Sequence, residues 1–221
     1  MGIIHKSYPL GWWDVMAYTV EVSIVQHGVE VAVLRSRAIM SNLAAIAMLR
    51  IAVFREYPYL YDGSLDYEEQ YLTTYAKSPD SVAVIARDGG RIVGAATAVP
   101  MQDAGEAVHS VFRQAGYVPD KWLYHGESVL LPQYRGLGLG VRFFAEREKH
   151  ARFLGLTDAA LCAVLRPDGH LLRPPGYVPL HDFWRKRGYQ PMENMVCYFS
   201  WKDIDEKEET PKPLAFWSKK L

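Results

Sequence analysis

A chain of 221 residues holds one domain, or one domain with an extension, and is long enough to bury a sizeable core. Apolar residues make up 49% and charged residues 23%, a globular composition that excludes a disordered chain. Lys plus Arg number 25 and Asp plus Glu number 25, so no global basic field exists to draw in nucleic acid or an anionic membrane.

Residues 1–28 carry the adjacent Trp12 and Trp13 and a strand-like alternation at Val20, Val22 and Ile24. They read as an N-terminal extension with no assigned role, which leaves residues 29–221 as a single domain. The start of the chain lacks the basic segment, apolar run and cleavage site of a secretion signal. The longest charge-free apolar stretch, residues 38–49, is well short of the ~20 residues a membrane span needs. A cytoplasmic protein is expected. Cys162 and Cys197 sit in apolar runs and read as reduced core thiols.

Val29, Val31 and Val33 alternate with Glu30 and Ala32 and predict a strand. Residues 39–54 follow as a helix. Leu43, Ile46, Leu49 and Val53 mark one face, and Met48, Ile51 and Phe54 cover the others, which predicts burial all round. Pro58 stops it. The loop 55–63 carries Tyr57, Tyr59 and Tyr61, and Ser64 or Asp66 caps a second helix running to about Ala76. Val82, Val84 and Ile85, the turn Asp88-Gly89-Gly90 and residues 91–99 predict a hairpin ended by Pro100. A short helix is expected over 104–114 and a strand over 122–131, closed by Pro132. Residues 137–154 predict a strong helix. Val141, Phe144, Ala145, Ala151 and Leu154 form its apolar face, and Glu148 pairs with Arg152 at i,i+4. A strand over 159–165, a Pro- and Gly-rich loop over 167–179 and a short helix over 181–187 ended by Gly188 come next. Strands over 195–201 and 213–217 flank the solvated linker 205–212. Hairpins mixed with helices argue for an α+β architecture, not a doubly wound one.

The most informative stretch is residues 126–144, where a strand runs into a glycine-rich turn and the turn into a helix. Glycines let backbone N–H groups turn inward, and a helix N-terminus adds partial positive charge. Together they form a cradle for a pyrophosphate. No Gly-Lys-Ser/Thr follows, so it is not a P-loop. Nor is it the dinucleotide fingerprint, because Gly136 and Gly138 would need a third glycine where Val141 stands. The pattern Gln/Arg-x-x-Gly-x-Gly/Ala fits at Gln133-Tyr134-Arg135-Gly136-Leu137-Gly138 and again from Arg135 to Gly140. That pattern resembles the acetyl-CoA loop of the GCN5-related N-acetyltransferase (GNAT) superfamily. The segment from Phe183 and Trp184 to Gly188 and Tyr189 resembles the family's later motif. The resemblance covers roughly residues 29–203.

The resemblance implies a three-layer α+β fold. Its central sheet is mixed but mostly antiparallel, with helices on both faces. A V-shaped splay opens between the family's fourth and fifth strands, here residues 122–131 and 159–165. It also implies acetyl-CoA as co-substrate, with no metal. Pantetheine would pair with the fourth strand at Val129, Leu130 and Leu131 in the manner of an added strand. Gln133 and the backbone of Arg135, Gly136, Leu137, Gly138, Leu139 and Gly140 would hold the pyrophosphate, and the N–H near Leu130 would steady the oxyanion. The acetyl group would pass directly to a primary amine of a small molecule, whose proton a base must take.

Glu127 is the first candidate for that base, its bland alternative being an ion pair with an Arg. His125, two residues earlier and so on the same strand face, is the second. Trp184 stands where many relatives carry a Tyr that protonates the leaving thiolate, so that role is filled elsewhere or absent. Cys162 lies near the expected thioester and reads as a core thiol, because no base partner is evident. Glu56, Tyr57, Tyr59, Tyr61 and Asp62 offer an aromatic, acidic wall for an ammonium group. Arg166 and Arg173 would meet an acceptor carboxylate, the CoA 3′-phosphate or solvent. An acyl-CoA-binding module without turnover and a protein N-acetyltransferase are the alternative readings. No nucleic-acid or membrane partner is expected, and a homodimer is left open.

Overall fold

The computed structural model describes residues 21–35 and 37–221. Trp12, Trp13 and Val20 lie outside them. Eight strands form one sheet: β1 (Glu21–Gln26), β2 (Val29–Arg35), β3 (Val82–Asp88), β4 (Arg91–Pro100), β5 (Trp122–Leu130), β6 (Asp158–Val164), β7 (Gln190–Trp201) and β8 (Thr210–Lys220). Their spatial order is β1-β2-β3-β4-β5-β6-β8-β7, and every pair is antiparallel except the parallel β5–β6. The helices are α1 (Arg37–Met40), α2 (Leu43–Phe54), α3 (Leu65–Lys77), α4 (Glu106–Gln114), α5 (Leu139–Phe153) and α6 (His181–Arg185). The architecture is the mixed α+β fold expected. Val22 and Ile24 belong to β1, an edge strand paired with β2.

Strand alternation sorts the core into two layers. Ala83, Ile85 and Val129 pack under α2 and α3, with Ile46 and Leu72. Val84, Ala86 and Ala96 pack on the other face, with Leu139 and Phe143 of α5. The expected single helix over 39–54 is broken at Ser41 and Asn42. The Asn42 side chain donates to the Ala38 carbonyl at 2.8 Å and its backbone N–H to Ile39, which closes α1 before α2 begins. Nor is α2 buried all round: Met48 is 63% exposed. Ser64 caps α3 as predicted, accepting from the Tyr67 N–H.

The buried face of α5 also differs from the expected one. Val141 and Ala145 face outward, while Phe143, Arg147 and His150 face the sheet beside Phe144 and Ala151. Counting apolar residues misplaced that stripe because two of its inward positions are polar.

One irregularity positions everything else. On β4, Ala96 and Ala98 pair with Ser128 and His125, so β5 carries one extra residue opposite Thr97. This is a β-bulge at Gly126 and Glu127, and it bends the strand and resets the alternation of its side chains. Parallel pairing with β6 runs from Trp122–Asp158 to His125–Leu161 and stops at the bulge, although both strands continue. The two strands therefore splay apart, and the β5 edge beyond His125 is left without a β6 partner.

Candidate active site

The glycine-rich turn lies at the end of β5 and opens α5. Gly136 (φ 80°) and Gly138 (φ 78°) both lie in the left-handed region, and Gly138 is the residue that caps α5. No acidic side chain occupies the first turn of α5, so its free N–H groups keep their positive end unopposed. The turn is tied down at several points. Gln26 of β1 donates to the Leu137 carbonyl, Tyr134 donates to Asp88 at 2.7 Å, and Arg135 donates to the Leu130 carbonyl and to Glu56. A tied-down turn at a helix N-terminus, with room at Gly136, where an added Cβ would meet nothing within 4 Å, suits a pyrophosphate.

Next to it, the splay holds a cleft of about 240 Å³. Its walls include His125 to Ser128 of β5, Leu161 to Val164 of β6, Phe144 and Arg147 of α5, and Trp184 of α6. Arg147 is 1% exposed yet touches no carboxylate. It donates to the carbonyls of Phe143, Thr97 and Glu127 at 3.1–3.2 Å and to the Ser128 hydroxyl at 2.8 Å. Two of those acceptors, Glu127 and Ser128, belong to the bulged segment and Thr97 lies opposite it, so Arg147 fastens the bulge from the α5 side. Burial pushes its pKa down to about 10, with Tyr189 and Glu127 opposing. His125 is buried against Phe144 and Tyr189 on this same side, and neither ring nitrogen has a hydrogen-bond partner. Burial, then the neighbouring Arg147 charge, holds its pKa well below 6.5. The ring is neutral at physiological pH.

Glu127 points the other way. The expectation that His125 and Glu127 share a face assumed regular alternation, and the bulge inverts it. Arg50 of α2 donates to Glu127 at 2.6 Å and also bonds Glu68 of α3. Its guanidinium lies 4.4 Å from the Tyr71 ring centroid and 4.9 Å from that of Phe54. One cation thus serves two buried carboxylates. Burial raises the Glu127 pKa, and Arg50 only partly offsets it. The Thr97 hydroxyl is close enough to oppose that shift without reaching hydrogen-bond geometry, and Glu127 Oε1 is buried with no partner. Burial alone would pull the Arg50 pKa down, but Glu127, Tyr71 and Glu68 together push it well above its ordinary value.

A second cavity of about 80 Å³ opens on this α2–α3 side. Tyr59, Tyr61, Tyr67, Tyr71, Tyr124 and Trp201 line it, around Arg50, Glu68 and Glu127. Gly126, Glu127, Cys162, Phe54 and Tyr59 border both cavities, so they meet across the splay. Gly126 is required there, because a Cβ would come within 2.3 Å of the Tyr75 hydroxyl and 2.6 Å of Thr97 Oγ1.

The candidates from sequence scatter accordingly. Tyr57 lines the larger cavity, Tyr61 the smaller and Tyr59 both, but Glu56 and Asp62 line neither. Glu56 pairs with Arg135 at 2.9 Å, and Asp62 pairs with Arg55 at 2.9 Å and Lys202 at 2.6 Å. Arg166 is a structural clamp: it grips Asp203 with two hydrogen bonds and donates to the Pro58 and Tyr59 carbonyls. Arg173 pairs with Asp168 at 2.8 Å. Cys162 lies 3.1 Å from the Tyr124 hydroxyl, with no base among its described contacts. Sequence reasoning missed Arg50, Glu68 and Arg147. A lone arginine inside the apolar run 43–54 was the available signal for Arg50.

A splay between parallel strands, backed by a glycine cradle at the next helix, is the arrangement expected of an acyl-CoA-dependent acyltransferase. Residues 45–169, more than half of the chain, match the sequence model of the Acetyltransferase (GNAT) family, and the chain belongs to that family. Enzymes of this family use acetyl-CoA. Solved structures agree on the fold. A ribosomal-protein-alanine N-acetyltransferase from Brucella melitensis is 16% identical at a TM-score of 0.54, covering 86% of this chain and 99% of that one. An acetyltransferase from Streptococcus agalactiae is 16% identical at 0.55, with 88% and 99% covered. The PaiA N-acetyltransferase from Thermoplasma acidophilum, in complex with coenzyme A, is 12% identical at 0.50, with 87% and 99% covered. No curated protein sequence matches significantly. Among the described residues, no helix is long and apolar enough to cross a membrane.

Proposed function

We propose that this enzyme transfers an acetyl group from acetyl-CoA directly to a primary amine of a small molecule, with Glu127 as general base. The observation that carries this reading is the meeting of two cavities at the bulge: one walled by β5, β6 and α5, the helix that the glycine turn opens, the other lined by aromatic rings and carboxylates. Acetyl-CoA, when bound, supplies an activated acyl group. The chain's own residues would do the rest. The cradle at 135–140 binds phosphate, the unpaired β5 edge at Val129, Leu130 and Leu131 aligns the cofactor arm, and Arg147 fixes the bulge between the two partners.

Glu127 lines both cavities and its Oε1 is buried with no hydrogen-bond partner, which leaves that oxygen to accept a proton from an amine. Burial keeps its basicity above that of an ordinary carboxylate, which suits a base working on an ammonium. His125 faces the other cavity and is assigned no proton transfer. Trp184 supplies no acid, and a CoA thiolate leaves readily enough for water to protonate it.

Thiol release from acetyl-CoA, followed over a panel of small amines and basic peptides, tests the reading. Release that depends on a small amine is expected. Release with peptides alone would replace it with a protein-modifying role, and tight acetyl-CoA binding with no acceptor-dependent release would replace it with a sensing role.

A further inference from the structure

The smaller cavity carries information about the acceptor beyond its being an amine. We propose that it selects a short primary alkylamine that bears no carboxylate, and rejects the corresponding amino acids. This rests on the transfer reading above and sharpens it.

Charge makes the first argument. Among the described residues lining the cavity, Arg50 is the cation, and it is already committed to Glu68 and Glu127. Its planar faces lie against Tyr71 and Phe54, so it cannot swing toward a ligand without breaking both ion pairs. Arg166, which borders only the larger cavity, is spent on Asp203 and two carbonyls. A ligand carboxylate would therefore enter a site holding two carboxylates and one engaged guanidinium, with no counter-charge to meet it. An ammonium meets the opposite situation. Glu127 lines the cavity, and its Oε1 is buried with no hydrogen-bond partner. Burial pushes the phenols of Tyr59, Tyr61 and Tyr71 upward, so they stay neutral and offer ring faces and hydroxyls to a cation.

Size makes the second argument. About 80 Å³ is roughly half of the ~150 Å³ cavity that holds benzene. A chain of a few carbons fits, among lining residues that include the 44% exposed Tyr67 and the apolar surfaces of Trp201 and Leu214.

Matched pairs differing by one carboxylate test the proposal: ethylamine against alanine, and propylamine against 2-aminobutyrate. Two quantities are measured on the full chain, kcat/KM by thiol release and equilibrium binding by calorimetry in the presence of CoA. The amine is expected to exceed its amino acid at least 100-fold in both. Tyr67→Arg, which adds a cation to the lining, is expected to shrink that ratio tenfold or more by admitting the amino acid. Ratios within threefold, a preference for the amino acids, or binding of neither member overturns the proposal. Binding that keeps the 100-fold ratio without any thiol release upholds the selectivity and overturns only the transfer reading.

Discussion

Two arginines flank the β5 bulge, and their surroundings are opposites. Arg50, on the α2 side, is held by two carboxylates and two aromatic faces. Arg147, on the α5 side, is held by three carbonyls and one hydroxyl. The first neighbourhood carries an excess of negative charge, the second an uncompensated positive one. The difference teaches how a single strand irregularity separates two environments of opposite charge. The face toward α5 adjoins the glycine cradle and suits an anionic cofactor, and the face toward α2 suits a cationic amine. The bulge is where they meet.

Removing each cation should break the comparison most severely. Arg50→Met, which leaves two buried carboxylates without their cation, is expected to cost about 3–5 kcal/mol of unfolding free energy, and Arg147→Met, which leaves buried carbonyls without a donor, about 1–3 kcal/mol, read by urea melts at neutral pH. Their pH dependence should differ. Without Arg50, Glu127 loses the cation that partly offsets its burial, so its folded pKa rises further. A group raised in the folded state stabilises below its unfolded pKa and loses that contribution as pH rises through the folded value. Measured in a His125→Gln background, because Arg147 also holds the His125 pKa down, the Arg50→Met deficit should therefore shrink as pH falls toward 5 by more than the Arg147→Met deficit. Equal pH responses would show that the two sites are electrostatically alike.

Glu127→Gln is expected to lower kcat by 10²–10⁴-fold while leaving acetyl-CoA binding unchanged, since a base acts only as the amine loses its proton. In the unmodified enzyme, kcat/KM should rise with pH through the elevated Glu127 pKa, and this limb should vanish in the variant. Full activity with an unchanged pH profile would make Glu127 a purely structural partner of Arg50. Gly126→Ala should cost about 1–3 kcal/mol, because its Cβ overlaps the Tyr75 hydroxyl. Adding Tyr75→Phe should recover part of that loss, and no recovery would place the strain elsewhere.

On the cofactor side, Gly138→Val should weaken CoA binding at least tenfold, about 1.4 kcal/mol, by forcing a β-branched residue to positive φ. Calorimetric titration with CoA reads it, and an unchanged Kd would remove the phosphate cradle from that loop. The gentlest probe is His125. Its folded pKa is depressed, so its stabilising contribution is present above the unfolded value of 6.5 and is lost as pH falls below it. Each pH unit in that window should remove about 1.4 kcal/mol. His125→Gln should flatten this slope in thermal melts taken from pH 7 to 5, and an unchanged slope would mean the ring is not buried neutral.

Much of the fold was legible in one dimension. The hairpin around Gly89 and Gly90, the Ser64 cap, the helix after the glycine turn and the helix end at Gly188 depend on neighbours a few residues apart, and local chemistry decides them. The glycine cradle was legible for the same reason, since turn, backbone donors and helix start all lie within residues 133–140. The acceptor wall was not. Glu56 and Asp62 looked like an acidic lining but are spent on Arg135, Arg55 and Lys202, partners that folding supplies from as far as 140 residues along the chain.

The sequence by itself determined most element types, the glycine-rich turn that opens α5 and the family, because these rest on short-range spacing and on patterns that local backbone geometry enforces. Only the tertiary structure decided which way Glu127 and His125 point, since one extra residue in β5, visible only against its partner β4, reverses the alternation. It also decided which charges remain available. Arg50, Glu68 and Glu127 come from three separate elements, and Arg147 reaches the bulge from a fourth. A buried charge is defined by what surrounds it, and those surroundings exist only once the sheet has closed its core.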